Sequence, residues 1–115
     1  MSSSTEAFIE AAKSRRTYYK LGKNSPVADA DGKIEELVNS AILNVPSSFN
    51  TQSTRLIVLL HKEHDRLWDI VIDAMSNLVK TGAVSEEMWK NMTLPKLKGL
   101  QGGYGTVGVF FFWSC

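Results

Sequence analysis

Apolar positions recur at helical spacing along the first part of the chain and then give way to short unbroken apolar runs. Ser3 stands three residues before Glu6, the spacing of a capping box, and predicts a helix over 5–13 with Phe8, Ile9 and Ala12 inward. Ile34, Leu37, Val38, Ala41 and Ile42 repeat as i, i+3, i+4, i+7 and i+8. This pattern predicts a second helix over 32–44, opened by Asp31 or Gly32 and stopped by Pro46. Leu56 to Leu60 is apolar without interruption, the pattern of a strand near 55–60 covered on both faces. Leu67, Val71, Met75 and Leu78 mark the buried side of a third helix over 65–81, with Gly82 as its cap. Ser85, ahead of Glu86 and Glu87, opens a fourth helix over 85–91 carrying Met88, Trp89 and Met92. Glycine and lysine dominate from Leu94 to Thr106, and five of the eight glycines fall between Gly99 and Gly108, so this stretch reads as a tight loop. The uncharged residues 106–113 predict a closing strand.

Four helices and two strands make an α+β arrangement without repeats or linkers. A two-stranded sheet standing alone is marginal in water. The segment Phe110-Phe111-Phe112-Trp113 is therefore an expected association site, and the chain reads as part of a fold or as a protomer completed by a partner. The chain has 115 residues, 43% hydrophobic and 22% charged, which suits one folded domain and argues against disorder. A net charge of +1 argues against a duplex nucleic-acid binder. The single cysteine, Cys115, excludes an internal disulfide framework. No apolar run reaches the ~18 residues of a membrane span, and the first residues lack the pattern of a secretory signal. The expected location is cytoplasmic, with the nucleus also open.

Two groups of residues carry candidate chemistry. Arg15-Arg16-Thr17 follows the first helix, and two guanidiniums beside a hydroxyl can grip a phosphate. The same cations also suit a solvated helix C-terminus. Between Pro46 and Arg55, Ser47, Ser48, Asn50 and Gln52 offer the mixed donors and acceptors that the edge of a planar heterocycle needs. That loop can equally satisfy its own backbone. His61 and His64 stand three apart beside carboxylates, but no third ligand cluster accompanies them, so they read as surface residues and no metal is expected. Gly103-Tyr104-Gly105-Thr106-Val107-Gly108 matches a dinucleotide fingerprint in letters, yet no helix follows it. No acid, base or nucleophile constellation can be assembled, and no catalytic side chain is expected.

Taken together, Arg15-Arg16-Thr17-Tyr18-Tyr19 and Pro46-Ser47-Ser48-Phe49-Asn50-Thr51-Gln52-Ser53, followed by Arg55, resemble the nitroreductase family, most closely its fungal branch. His61-Lys62-Glu63-His64, Leu67-Trp68-Asp69-Ile70-Val71 and Gly103-Tyr104-Gly105-Thr106-Val107 are similar to that branch as well. The resemblance covers residues 6–107. It implies an α/β/α sandwich, incomplete in this chain, with 1–107 as the N-terminal portion of the domain and 108–115 as a hydrophobic tail outside the family pattern. It also implies a dimer holding FMN at its interface and electron transfer from NAD(P)H to nitroaromatic, quinone-like or related small-molecule acceptors. By that resemblance Arg15 and Arg16 hold the FMN phosphate, Thr17 lies near the phosphate or ribityl chain, and Ser47, Ser48, Asn50 and Gln52 meet the ribityl chain or ring edge. The chemistry implied is hydride transfer to the flavin, with the protein supplying position and electrostatics. Family members are longer, so the chain reads as truncated. The other expectation is a non-catalytic fragment that is unstable or pairs with a full-length relative. The fungal branch is associated with oxidative-stress responses.

Overall fold

Ser3 and Glu6 cap one another at the start of the first helix, α1 (Ser4–Ser14). The Ser3 hydroxyl accepts from the Glu6 N–H at 3.1 Å, and the Glu6 carboxylate accepts from the Ser3 N–H at 2.9 Å. The computed structural model describes residues 3–111; Phe112, Trp113 and Cys115 lie outside the described residues. The expectation that Phe8, Ile9 and Ala12 point inward does not hold. All three are exposed, Phe8 by 75%, and α1 has no buried residue. Local capping is enough to form this helix, but nothing covers its apolar stripe.

The second helix, α2 (Ala30–Asn44), opens earlier than Asp31 or Gly32. Asp29 is the cap, in the left-handed region at φ 52°, and its carboxylate accepts from the Gly32 N–H. The helix ends before Pro46, as the proline requires. Ile34, Val38 and Ala41 are half-buried, whereas Leu37 and Ile42 of the expected buried face are exposed.

Strands β1 (Thr54–Leu60) and β2 (Gly105–Phe111) pair antiparallel, with Thr54 opposite Phe111, Ile57 opposite Gly108 and Leu60 opposite Gly105. Both α2 and the third helix pack on β1. The strand is nevertheless not covered on both faces: Arg55 and Ile57 stay exposed while Leu56 and Val58 are half-buried. Its continuous apolar run therefore marks a strand with more greasy surface than its own chain covers.

The third helix, α3 (Lys62–Lys80), starts three residues before the expected position and follows His61, whose φ is 55°. Gly82 closes it as anticipated. At φ 83° it donates to the Val79 carbonyl while Ala83 donates to that of Leu78, both at 3.1 Å, the paired bonds of a Schellman motif. Ser85 then caps α4 (Glu86–Met88), which runs through a π-helical turn at Trp89–Thr93 into α5 (Leu94–Gln101).

The expected loop from Leu94 onward is thus a helix for its first eight residues. Pro95 sits in the first turn, where its missing N–H costs nothing. Gly99 and Gly102 serve close approach rather than turning: a Cβ on either would run into the carbonyl oxygens of Tyr19 or Leu21. Burial is sparse, with His64 and Trp89 the only large side chains of the described residues below a tenth exposed. The radius of gyration is 17.9 Å, against about 13 Å for a compact domain of this length.

Candidate functional site

The loop between α2 and β1 holds the first group of candidate residues, and its own backbone fixes it. The Asn50 N–H donates to the Ser47 carbonyl at 3.0 Å, the Gln52 N–H to the Ser47 hydroxyl at 3.1 Å, and Arg55 to the Gln52 carbonyl at 3.0 Å. Phe49, Asn50 and Gln52 all adopt left-handed φ of 53–54°, a region that asparagine tolerates but that costs energy at Phe49 and Gln52. Ser47 spends its hydroxyl inside the loop. The side chains of Ser48, Asn50 and Gln52 have no hydrogen-bond partner among the described residues and face water, as does Phe49, 98% exposed.

Arg15, Arg16 and Thr17 follow the C-terminus of α1. Arg15 donates to the Thr17 hydroxyl at 3.3 Å, and Arg16 donates to the Lys13 and Arg15 carbonyls at 2.7 and 2.8 Å. All three are exposed, and neither guanidinium meets a carboxylate among the described residues. A few residues on, the chain is pinned to α5: the Leu21 N–H donates to the Gly99 carbonyl at 3.2 Å, and the Lys96 ammonium lies 4.5 Å from the centre of the Tyr19 ring. Among the described residues no hydrogen bond links the arginine group to the serine–amide loop. Neither of the two principal concavities includes a member of either group.

The most organised polar geometry lies elsewhere. His64, read from the sequence as a surface residue, is 1% exposed and the most buried side chain described. Its Nε2 lies 2.9 Å from the Gln101 carbonyl, which only accepts, so Nε2 carries the proton. Its Nδ1 then accepts from the Thr106 hydroxyl at 2.8 Å, and the Thr106 oxygen accepts from the Trp68 indole at 3.0 Å. The Gln101 amide donates to the Asp65 carbonyl and the Asp69 carboxylate, and Lys23 pairs with Asp65 at 2.6 Å. The correction has a simple cause. Extending α3 to Lys62 puts His64 and Trp68 one helical turn apart on the same side, facing β2.

His61 does stay exposed and belongs to a second cluster. It donates to Asp31 at 2.9 Å, and the Tyr104 hydroxyl donates to the other oxygen of the same carboxylate. These two bonds, Tyr104 first, hold the Asp31 carboxyl below its ordinary range, and the same carboxylate pushes the Tyr104 hydroxyl up. The Lys23 ammonium lowers Asp65 in the same way. Asp31 and Tyr104 also line an open cleft of about 640 Å³ with Lys23, Asn24 and Ser25. The sequence signal for both clusters was present in the stretches 61–64, 67–71 and 103–107. Their pairing across the fold was not.

No three His, Cys, Asp or Glu side chains gather to hold a metal among the described residues, and no described helix is long and apolar enough to cross a membrane. Residues 12–113 match the Nitroreductase family. The nitroreductase FRM2 of Saccharomyces cerevisiae is 32% identical over 73 residues, which are 64% of this chain and 38% of FRM2. Nitroreductase CinD from Lactococcus lactis, solved in complex with chloramphenicol, superposes with a TM-score of 0.64 at 32% identity, over 90% of this chain and 47% of CinD. A nitroreductase structure from Saccharomyces cerevisiae superposes at 0.65 with 24% identity, over 93% of this chain and 53% of that one, a likeness of fold. The chain thus spans about two fifths of the curated relative and about half of each solved structure.

Proposed function

The chain belongs to the nitroreductase family, a family of oxidoreductases, and on that premise we propose that it binds FMN and serves electron transfer from NAD(P)H to a nitroaromatic, quinone-like or related small-molecule acceptor. The observation that carries this reading is the loop 47–53. Internal bonds hold its backbone in a strained shape, while Ser48, Asn50 and Gln52 are left with unspent donors and acceptors. Such a rigid, mixed polar rim suits a ribityl chain or the edge of an isoalloxazine ring. The unpaired guanidiniums of Arg15 and Arg16, with the Thr17 hydroxyl, suit its phosphate. These residues fit the group they are assigned.

Bound FMN supplies the redox chemistry. This chain's residues bind and orient: the arginines neutralise the phosphate, and Ser48, Asn50 and Gln52 fix the polar chain and ring edge. Ser47 positions the others by anchoring the Gln52 N–H. No side chain is assigned the transfer of a proton.

A partner is part of the same reading. No hydrogen bond among the described residues links the arginine group to the loop, and Phe8, Leu37, Leu43 and Phe111 are each at least two-thirds exposed. Both facts favour a site completed between chains, in a homodimer or with a full-length relative.

The test is a visible spectrum of the chain after mixing with excess FMN and gel filtration. Wild type should carry a flavin band at dimer mass or with an added full-length relative. Arg15→Ala with Arg16→Ala should weaken retention by at least about tenfold, the loss of one or more charge-assisted bonds. A colourless peak under both conditions overturns the reading.

A further inference from the structure

Arg55 ends the motif that contains the loop 47–53, yet it belongs to neither group of candidate ligands. It is the second residue of β1 and lies opposite Phe110 of β2, so its backbone is set by the sheet. Its side chain returns to the loop. One terminal guanidinium nitrogen donates to the Gln52 and Thr54 carbonyls, both at 3.0 Å. The guanidinium meets no carboxylate among the described residues.

These bonds bear on a strained residue. Gln52 has φ 53°, a left-handed shape that costs energy for a side chain of its kind and persists only where the surroundings hold it. Its N–H donates to the Ser47 hydroxyl at 3.1 Å and its carbonyl accepts from Arg55, so the peptide groups on both sides of its Cα are held. The Thr51 and Ser53 hydroxyls bond one another across it at 3.0 Å. Of these bonds, the one from Arg55 is charge-assisted, the stronger kind, and it ties Gln52 to the strand rather than to the loop itself. With the backbone clamped, the side-chain amide of Gln52 is the part left with unspent donors and acceptor.

We propose that Arg55 is a positioning residue: it holds the Gln52 carbonyl, fixes the left-handed backbone there, and so presents the Gln52 side chain to the flavin without touching the flavin itself. This inference rests on the flavin reading of the loop and adds a residue outside its ligand set.

The test pairs two measurements on the full chain. Hydrogen exchange of the Gln52 backbone N–H needs no flavin, and equilibrium dialysis gives the affinity for FMN. Arg55→Met keeps the apolar stem and removes the donors. It should speed exchange of the Gln52 N–H by about tenfold and weaken FMN binding about three- to tenfold, the cost of ordering one side chain. Arg55→Lys restores a charged donor and should recover most of both losses. In a Gln52→Gly background there is no side-chain amide to present, and adding Arg55→Met should change FMN affinity less than about twofold. Unchanged exchange in Arg55→Met overturns the proposal, as does a lysine variant no better than the methionine one. An undiminished loss of affinity in the glycine background also overturns it, because Arg55 then acts on the flavin directly. Wild-type affinity for FMN retained in Arg55→Met removes this inference and leaves the proposed function standing. A wild type that binds no FMN removes the flavin reading, and the exchange rates alone then decide whether Arg55 holds Gln52.

Discussion

His64 and Thr106 are forty-two residues apart in the chain and share a 2.8 Å hydrogen bond. Through it the most buried side chain described joins α3 to the start of β2, while its other nitrogen holds the last residue of α5. One hydroxyl thus serves two rings, accepting from Trp68 and donating to His64.

Thr106→Val keeps the shape and removes that hydroxyl. It leaves the Trp68 N–H and the His64 Nδ1 without partners in a partly buried setting, at a cost of about 1–3 kcal/mol for each orphaned group. Urea denaturation should therefore show Thr106→Val destabilised by about 2 kcal/mol or more, while Thr106→Ser, which keeps the hydroxyl, recovers most of the loss. Equal stability of the valine and serine variants would show that the hydroxyl is not the joint.

The Asp31–Tyr104 pair sets limits on stability at both ends of the pH scale. The folded Asp31 and Asp65 carboxyls lie below their ordinary 3.8, so their contribution is complete above that value and is lost as pH falls through the lowered ones. The folded Tyr104 hydroxyl lies above its ordinary 10.0, so its contribution is complete below 10.0 and is lost as pH rises through the raised value. Urea midpoints should be level between these limits and fall beyond each. Asp31→Asn should flatten most of the alkaline fall, leaving what burial and Asp29 contribute at Tyr104, and the acid fall in part, because the Lys23–Asp65 pair remains. An alkaline fall unchanged in that variant would separate Tyr104 from Asp31.

Gly99→Ala tests how the arginine group is held. A Cβ at this position overlaps the Tyr19 carbonyl oxygen and pushes residues 19–21 off α5, taking the Leu21–Gly99 bond with it. Forcing extra atoms into a close-packed contact costs about 1–3 kcal/mol. Limited trypsin digestion should then cut faster after Arg15, Arg16 and Lys20 than in wild type, with α3 protected. Unchanged cleavage would mean that the segment is anchored by other contacts.

Elements with local causes were legible in the sequence. The Ser3–Glu6 box, the stop before Pro46, the Gly82 closure and the Ser85 cap each depend on groups within a few residues, so spacing alone identifies them. The stretch from Leu94 to Gln101 misled because its glycines suggested turning, whereas Gly99 and Gly102 are small to let residues 19–21 pass. A close approach by a distant segment leaves no local pattern. The apolar periodicity of α1 and α2 correctly marked helices but overstated their burial, since periodicity shows which side can be buried and not whether anything covers it.

The candidate loop shows the same division. Its residue types and their spacing could be read directly, and with them the resemblance to a family that the match over 12–113 establishes. The left-handed backbone at Phe49 and Gln52 could not, because propensity disfavours that shape for these two residues and the bonds within the folded loop hold it. By itself the sequence determined the local elements, the family and the inventory of charged groups. Tertiary structure alone decided that His64 is interior, that Asp31 bridges His61 and Tyr104, and that Leu21 meets Gly99 of α5. The physical reason is common to all three: hydrogen bonds and charge contacts act over a few ångströms in space, and only the folded chain brings such distant residues within that range.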